Sequence, residues 1–280
     1  EVHVSILKAL RMLGFGTNKI KRIPVDAQGR MKANLISKYT KPTLICTQAG
    51  NVNTGAFDPI NEICERGSYS DAWVHVDGAF GLWANVSPQY QYLCEGIHKA
   101  SSWAIDAHKW LNVPYDSGIA FVKNKEHLIS SMSTDAEYLI SGSKREPFHY
   151  VPEISRRARG IEIWAALRSA GKKGLANLIE SNCKNASLFA KKLSKAGYQV
   201  LNDVVLNQVL VSFGETDTTK KIIQGIQEDG TCWCGGTEWQ GKTAMRISVS
   251  SWRTTENDVQ QSLDSIIKIA NEETKKAREQ

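Results

Sequence analysis

The apolar positions of this chain follow two spacings. Across residues 4–13 they fall at Ile6, Leu7, Leu10 and Leu13, which predicts a helix closed by Gly14-Phe15-Gly16. Short β-prone runs predict strands over 20–24, 43–47, 73–76 ending at Asp77, 101–105 and 118–122. Between them, the turn 26–29 leads to a helix over 31–37, and Asp58-Pro59 opens another through about Arg66, with Pro at the first helical position. Residues 141–155 are polar, carry Pro147 and Pro152, and read as a mobile surface loop; a long helix then begins over 161–169, which Gly171 and Gly174 bend or end. Beyond about residue 175 the pattern is helix, strand 208–213, helix 218–228, strand 244–250, and a charged helix from Glu256. Strands alternating with helices predict an α/β fold, with a mainly parallel sheet over 1–170 and a smaller α/β domain over 171–280.

Composition narrows the class. The 280 residues are 41% hydrophobic and 23% charged, which excludes a disordered, collagen-like or coiled-coil chain. No apolar run approaches the length of a membrane span. The net charge, 35 − 29 = +6, is spread with acidic residues between the basic ones, so it reads as a solvated surface and not a nucleic-acid groove. The six cysteines are widely scattered, as expected of reduced thiols in a cytoplasmic protein. Cys232-Trp233-Cys234 lacks the further ligands a zinc site needs, so no metal is expected. The start, Glu-Val-His-Val-Ser, resembles no signal peptide and has no initiator Met, which suggests that the sequence begins inside a longer protein.

Candidate chemistry gathers after the strands, where ligands of parallel sheets bind. Asp106-Ala107-His108-Lys109-Trp110 follows one strand, and Asp77-Gly78-Ala79 follows another. A lysine that forms an imine with an aldehyde cofactor needs a partly desolvated site, and Trp103, Trp110 and Leu111 flank Lys109 with apolar surface. A carboxylate on a nearby strand end, here Asp77, keeps a pyridine nitrogen protonated and makes the ring an electron sink. Singly, a lysine is usually a surface residue and a strand-end aspartate a helix cap; the pairing is what singles these two out. The glycine-bracketed polar loop 48–55 is a further strand-end candidate.

The order of these pieces resembles the pyridoxal-phosphate-dependent group II amino acid decarboxylases, which include glutamate, tyrosine and aromatic-L-amino-acid decarboxylases. The likeness runs from His3-Val4-Ser5 and Pro24-Val25-Asp26-Ala27-Gln28-Gly29-Arg30-Met31 through Gly50-Asn51-Val52-Asn53-Thr54-Gly55, His75-Val76-Asp77-Gly78-Ala79 and Asp106-Ala107-His108-Lys109-Trp110. It continues in Ser155-Arg156-Arg157-Ala158-Arg159 with Trp164-Ala165-Ala166-Leu167-Arg168, and in Met245-Arg246-Ile247-Ser248-Val249. The resemblance implies the aspartate-aminotransferase-like fold (fold type I), a pyridoxal 5'-phosphate cofactor, an L-amino acid substrate decarboxylated through a Lys109 Schiff base, and a homodimer with its active sites at the interface. It further implies that Asp77 pairs with the pyridinium nitrogen, His108 reaches the phosphate with Asp106 near it, Ala79 packs beneath the ring, Asn51 lies near the phenolic oxygen, and His3 stacks over the ring.

Two departures qualify the likeness. The upstream segment that cradles the phosphate in this family lies outside the sequence, which resembles the carboxyl-terminal part of a full-length enzyme. The family's loop tyrosine, a proton donor, has its counterpart in 142–155 only in Tyr150, which fits equally an aromatic anchor of the loop. Other readings are therefore another pyridoxal-phosphate-dependent carbon–carbon lyase, an oxidative deaminase, or a non-catalytic truncated chain. Arg246 reads as a carboxylate contact or, more ordinarily, as a strand arginine paired with an acidic neighbour.

Overall fold

The computed structural model describes residues 1–134, 142 and 144–279; of the predicted loop 141–155, Ser141 and Ser143 lie outside the described residues. The first sheet contains β1 (Leu44–Gln48), β2 (Trp73–Asp77), β3 (Ser102–Asp106) and β4 (Gly118–Val122), in that spatial order. β1, β2 and β3 are parallel, whereas β4 returns antiparallel to β3, pairing Asp106 with Gly118. The sequence pattern carries no sign of that reversal.

Burial alternates along β2. Val74 and Val76 are buried against one core, while Trp73, His75 and Asp77 occupy the other face half-buried. Registered neighbours extend each face across the sheet, and Asp77 pairs with Gln48 on one side and Ala104 on the other. Asp106, two residues beyond Ala104, therefore emerges on the same face as Asp77. The opposite face packs on α2 (Ile60–Ser68), whose Ile60, Ile63 and Cys64 are buried.

The smaller lobe is a four-stranded antiparallel sheet, ordered β5 (Gln199–Val200), β6 (Gln208–Ser212), β8 (Lys242–Ser248) and β7 (Gly235–Trp239). α5 (Thr216–Asp229) and α6 (Glu256–Glu279) cover one face through Ile222, Ile226, Val259, Leu263 and Ile266. α4 (Gly160–Lys195) runs through both cores: Leu175, Ile179 and Cys183 join the first, and Ala186, Phe189 and Leu193 the second. Gly171 breaks its helical geometry at φ 60° and ψ 178°, in the left-handed region that glycine reaches without a Cβ penalty. Gly174 stays helical.

Several expectations are corrected. Residues 20–24 form no strand, because Lys19, Lys21 and Arg22 are exposed and Pro24 has no N–H to donate; only the bridge between Val25 and Met31 remains. The helix expected over 31–37 shrinks to one 3-10 turn, Ala33–Leu35. α1 (Val4–Met12) is present but buries none of its residues, and α3 (Lys125–Met132), β5 and β7 went unread.

Buried Asp58 locks the start of α2 to β1. Its carboxylate accepts from Met31 N (2.7 Å), Gln48 N (2.7 Å) and Thr47 Oγ1 (2.9 Å). Burial still pushes its proton affinity upward against these bonds. Close backbone contact fixes the next connection, since a Cβ on Gly81 would lie 2.1 Å from the Ala49 carbonyl oxygen. Gly81→Ala is expected to destabilise the fold by about 1–3 kcal/mol in denaturant unfolding. Gly235→Ala, with nothing within 4 Å of its Cβ position, should leave the midpoint unchanged.

Candidate active site

The strand ends of β2 and β3 are tied together by backbone. Asp106 N donates to Ala79 O (2.8 Å), and Gly78 N to Ala104 O (2.9 Å), so the turn after β2 rides on the end of β3. Ala79 N in turn donates to Asp77 Oδ1 (3.2 Å), which orients that carboxylate. Asp77 also acts on its own strand and on β1. Burial lowers the proton affinity of the His75 ring, opposed by the Asp77 charge, while burial and then Asp77 push the Cys46 thiol up to about 11.

Lys109 sits on the turn after β3 with its ammonium 2.9 Å from Asp106 Oδ2. The same oxygen lies 3.7 Å from His108 Nε2. His108 is packed from two sides. Its ring stacks on Tyr115 at 4.1 Å between centroids and 29° between planes, and its Nδ1 lies 2.8 Å from Ser117 O and 3.1 Å from Ser117 N, so either tautomer finds a partner. Trp110, fully buried, closes the lower side; with the Asn182 amide oriented to satisfy both neighbours, its oxygen accepts from Trp110 Nε1 (3.0 Å) and its nitrogen donates to Ser251 O (3.1 Å).

Residues that sequence reading missed hold this turn. Asn112 adopts φ 58°, a conformation asparagine tolerates better than most side chains, and donates to Trp110 O (2.6 Å) and Ser250 O (2.8 Å). Arg159 grips the segment behind His108: its Nε donates to Asp116 O (3.0 Å) and Oδ1 (2.9 Å), and its Nη2 pairs with the same carboxylate at 2.9 Å. Arg157 adds a bond from Nη1 to Tyr115 O (3.2 Å). The arginine-rich motif was legible; its target, a loop more than forty residues upstream, was not.

The loop after β1 forms the seam between the lobes. Asn51 is buried, and its amide oxygen accepts from Asn53 N and Thr54 N while its nitrogen reaches Gln48. The small lobe answers with Asn202 Nδ2 to Thr54 O (2.9 Å), Thr237 Oγ1 to Asn53 Oδ1 (3.0 Å) and Arg246 Nη1 to Val52 O (3.3 Å). Among the described residues Arg246 has no acidic partner, contrary to its ordinary reading, and burial lowers its proton affinity.

His3 and Tyr150 make their described contacts within their own segments. His3 caps α1 through Ser5, with Nδ1 2.8 Å from Ser5 Oγ. The chain start does approach the site's rim, for a Cβ on Gly29 would lie 3.4 Å from the Glu1 side chain and 3.3 Å from Asn51 Nδ2. Tyr150 ends a 3-10 turn with its ring 4.2 Å from the Arg145 guanidinium. No group of three or more His, Cys, Asp or Glu side chains among the described residues could hold a metal ion.

Comparison with known proteins gives this geometry a family. Residues 1–214 match the model of the pyridoxal-dependent decarboxylase conserved domain. The chain belongs to that family. It is 28% identical to an aromatic-L-amino-acid decarboxylase of Bacillus atrophaeus, over 97% of this chain and 62% of the relative, and 30% identical to tyrosine/DOPA decarboxylase 2 of Papaver somniferum, over 82% and 46%. It thus spans roughly half to three-fifths of the length of these curated relatives. The crystal structure of Oryza sativa TDC with PLP and tryptamine superposes with a TM-score of 0.88 at 22% identity, covering 97% of this chain and 61% of that one; mouse CSAD in apo form gives 0.87 at 20%, covering 96% and 62%. The fold is therefore the expected fold type I, with the second sheet antiparallel and smaller.

The turn that carries Lys109 depends on the arginine clamp in a measurable way. Arg159→Ala should speed amide hydrogen exchange at Ala107 and His108, both of which donate to Ser117 O, by roughly tenfold, a local opening made about 1.4 kcal/mol easier. The clamp should also resist acid. The Arg159 guanidinium holds the Asp116 carboxyl below its ordinary 3.8, so the pair persists above that pH and is lost only as pH falls through the lower folded value. Protection at Ala107 that is already lost near pH 5 would contradict this.

Proposed function

We propose that this chain is part of a pyridoxal-phosphate-dependent decarboxylase that converts an L-amino acid to its amine and carbon dioxide. The observation that carries the proposal is Lys109, held with its Nζ 2.9 Å from a carboxylate on the same rim of the sheet that bears Asp77. The names of the curated relatives favour an aromatic substrate.

The residues present fit the cofactor. Lys109 offers a half-exposed amine, Asp77 an oriented carboxylate, and His108 a ring whose Nε2 is turned toward the strand ends. In this reading Lys109, Asp77 and His108 would hold it at its aldehyde, ring nitrogen and phosphate, Ala79 would pack against the ring, and Asp106, Asn51 and His3 would complete the lining. Bound there, pyridoxal phosphate supplies an electron sink for the pair left on Cα as the carboxylate departs. Asp106 Oδ2 accepts the proton that Nζ must lose before Lys109 can act as a nucleophile. Trp110 and Leu111, both buried, keep water from the underside of the turn. Asp77, oriented by the Ala79 amide, would hold a proton at the position facing it. Tyr150 is the candidate proton donor to substrate carbon.

The two-domain division at residue 171, a homodimer with the active site at the interface, and a cytoplasmic setting belong to the same proposal. Exposed Ile161, Trp164 and Leu167 on α4, together with the unburied α1, support a subunit interface. Six free cysteines support a reducing compartment. A second reading, decarboxylation coupled to oxidative deamination, is favoured by relatives named phenylacetaldehyde synthase, one from Petunia hybrida being 29% identical over 68% of this chain.

The purified chain is expected to take pyridoxal phosphate, and borohydride reduction should leave the label on the peptide carrying Lys109, with Lys109→Ala abolishing it. Scattered labelling indifferent to that substitution would refute a cofactor site in this chain. Product analysis with aromatic amino acids separates the two reactions: amine for decarboxylation, aldehyde and ammonia for the oxidative course.

A further inference from the structure

We propose that Cys232 and Cys234 form a dithiol that hydroperoxides oxidise to a disulfide, a modification site in the small lobe remote from the Lys109 turn. Burial alternates along the segment that enters β7: Cys234 is 4% exposed, Cys232 is half-buried, and Trp233 between them is 77% exposed. Both thiols therefore turn to the same side, packed against the core beneath α5 and α6, while the indole points outward. Gln227 Nε2, from α5, donates to Cys234 O (2.8 Å) and fixes the inner residue. The two thiols are near enough to interact with each other, and Cys232 also interacts with Ser262 of α6, whose hydroxyl donates to Asp258 O (2.7 Å).

This environment divides the pair into an attacking and a resolving sulfur. Cys234 S–H, against the effect of burial and aided by Ser262, brings Cys232 down to about 7, with the Asp229 charge at the end of α5 opposing. Asp229 is itself engaged by Ser265, Thr231 and the nearby Lys268, which moderates that opposition. Cys234 is pushed up, first by its bond to Cys232 and then by burial, so it keeps its proton. The other cysteines are poor competitors, because burial raises Cys46 to about 11, Cys94 and Cys183 to about 12, and Cys64 as well.

The chemistry balances with one hydroperoxide. The Cys232 thiolate attacks the distal oxygen, the O–O bond breaks, and the departing hydroxide or alkoxide takes a proton to leave as water or alcohol. Cys234 then attacks the sulfenic sulfur, the S–S bond forms, and its thiol proton leaves with the hydroxyl as water. Two thiols lose two electrons and the peroxide gains them.

The test applies hydrogen peroxide to the reduced full chain, followed by alkylation and peptide mapping. The peptide spanning Cys232 and Cys234 should lose two hydrogens at least about tenfold faster than any other cysteine is consumed. The rate should rise with pH through about 7 as the Cys232 thiolate forms, and Trp233 emission should change in step. Cys234→Ser should leave Cys232 as a sulfenic acid that dimedone captures, and Cys232→Ser, at the half-buried position, should abolish fast oxidation with the circular dichroism spectrum unchanged. Oxidation of Cys232 no faster than that of Cys46, or a rate midpoint at an ordinary thiol value near 8.5, would overturn the proposal.

Discussion

The carbonyl oxygen of Ser117 accepts from Ala107 N (2.9 Å) and His108 N (3.2 Å), and the His108 ring lies against it. On that contact depends the direction in which the chain leaves β3, and hence where Lys109 projects. A strand that simply continued would point Lys109 away from Asp106. Folding the turn back onto the start of β4 sets the i and i+3 side chains side by side. The antiparallel return of β4 is therefore part of the site's construction. It brings Gly118 opposite Asp106, whose carboxylate reaches Lys109 from there.

What the sequence disclosed was what is local in the chain. Val74 and Val76 alternate with His75 and Asp77 because one face of β2 is buried, and that period is written in the residues themselves. Lys109, His108 and Asp106 lie within four positions, so their grouping needed no knowledge of the fold. Asn112 and Asn182 were silent because their partners, Ser250 and Ser251, lie far along the chain and become neighbours only when the lobes meet; the target of Arg159, Asp116, was silent because it lies more than forty residues upstream. β7 escaped notice for another reason: Gly235-Gly236-Thr237-Glu238-Trp239 has little strand propensity and is held by its partner β8. Residues 20–24 failed in the opposite sense, having the propensity but no partner strand.

The loop 51–54 shows how polar residues join two apolar cores. Thr54 O, Asn53 Oδ1 and Val52 O each receive a donor from β7, β8 or the turn at Asn202. Such bonds are directional, so they specify one alignment of the lobes where an apolar seam would allow several. Arg246 contributes a charge to this seam that no carboxylate among the described residues neutralises. A desolvated cation of that kind raises the local affinity for an anion.

Asn112 gives the seam a mechanical sense. Its side chain bonds the carbonyl of Trp110, one residue from Lys109, and that of Ser250, just beyond β8, while its oxygen takes the amide of Trp252. The small lobe and the lysine turn thus share a strut. A rotation of the small lobe by a few degrees cannot leave Lys109 where it was; the strut would draw it along, so that the reach of the amine is geared to the attitude of a lobe whose own core contains none of the site's chemistry.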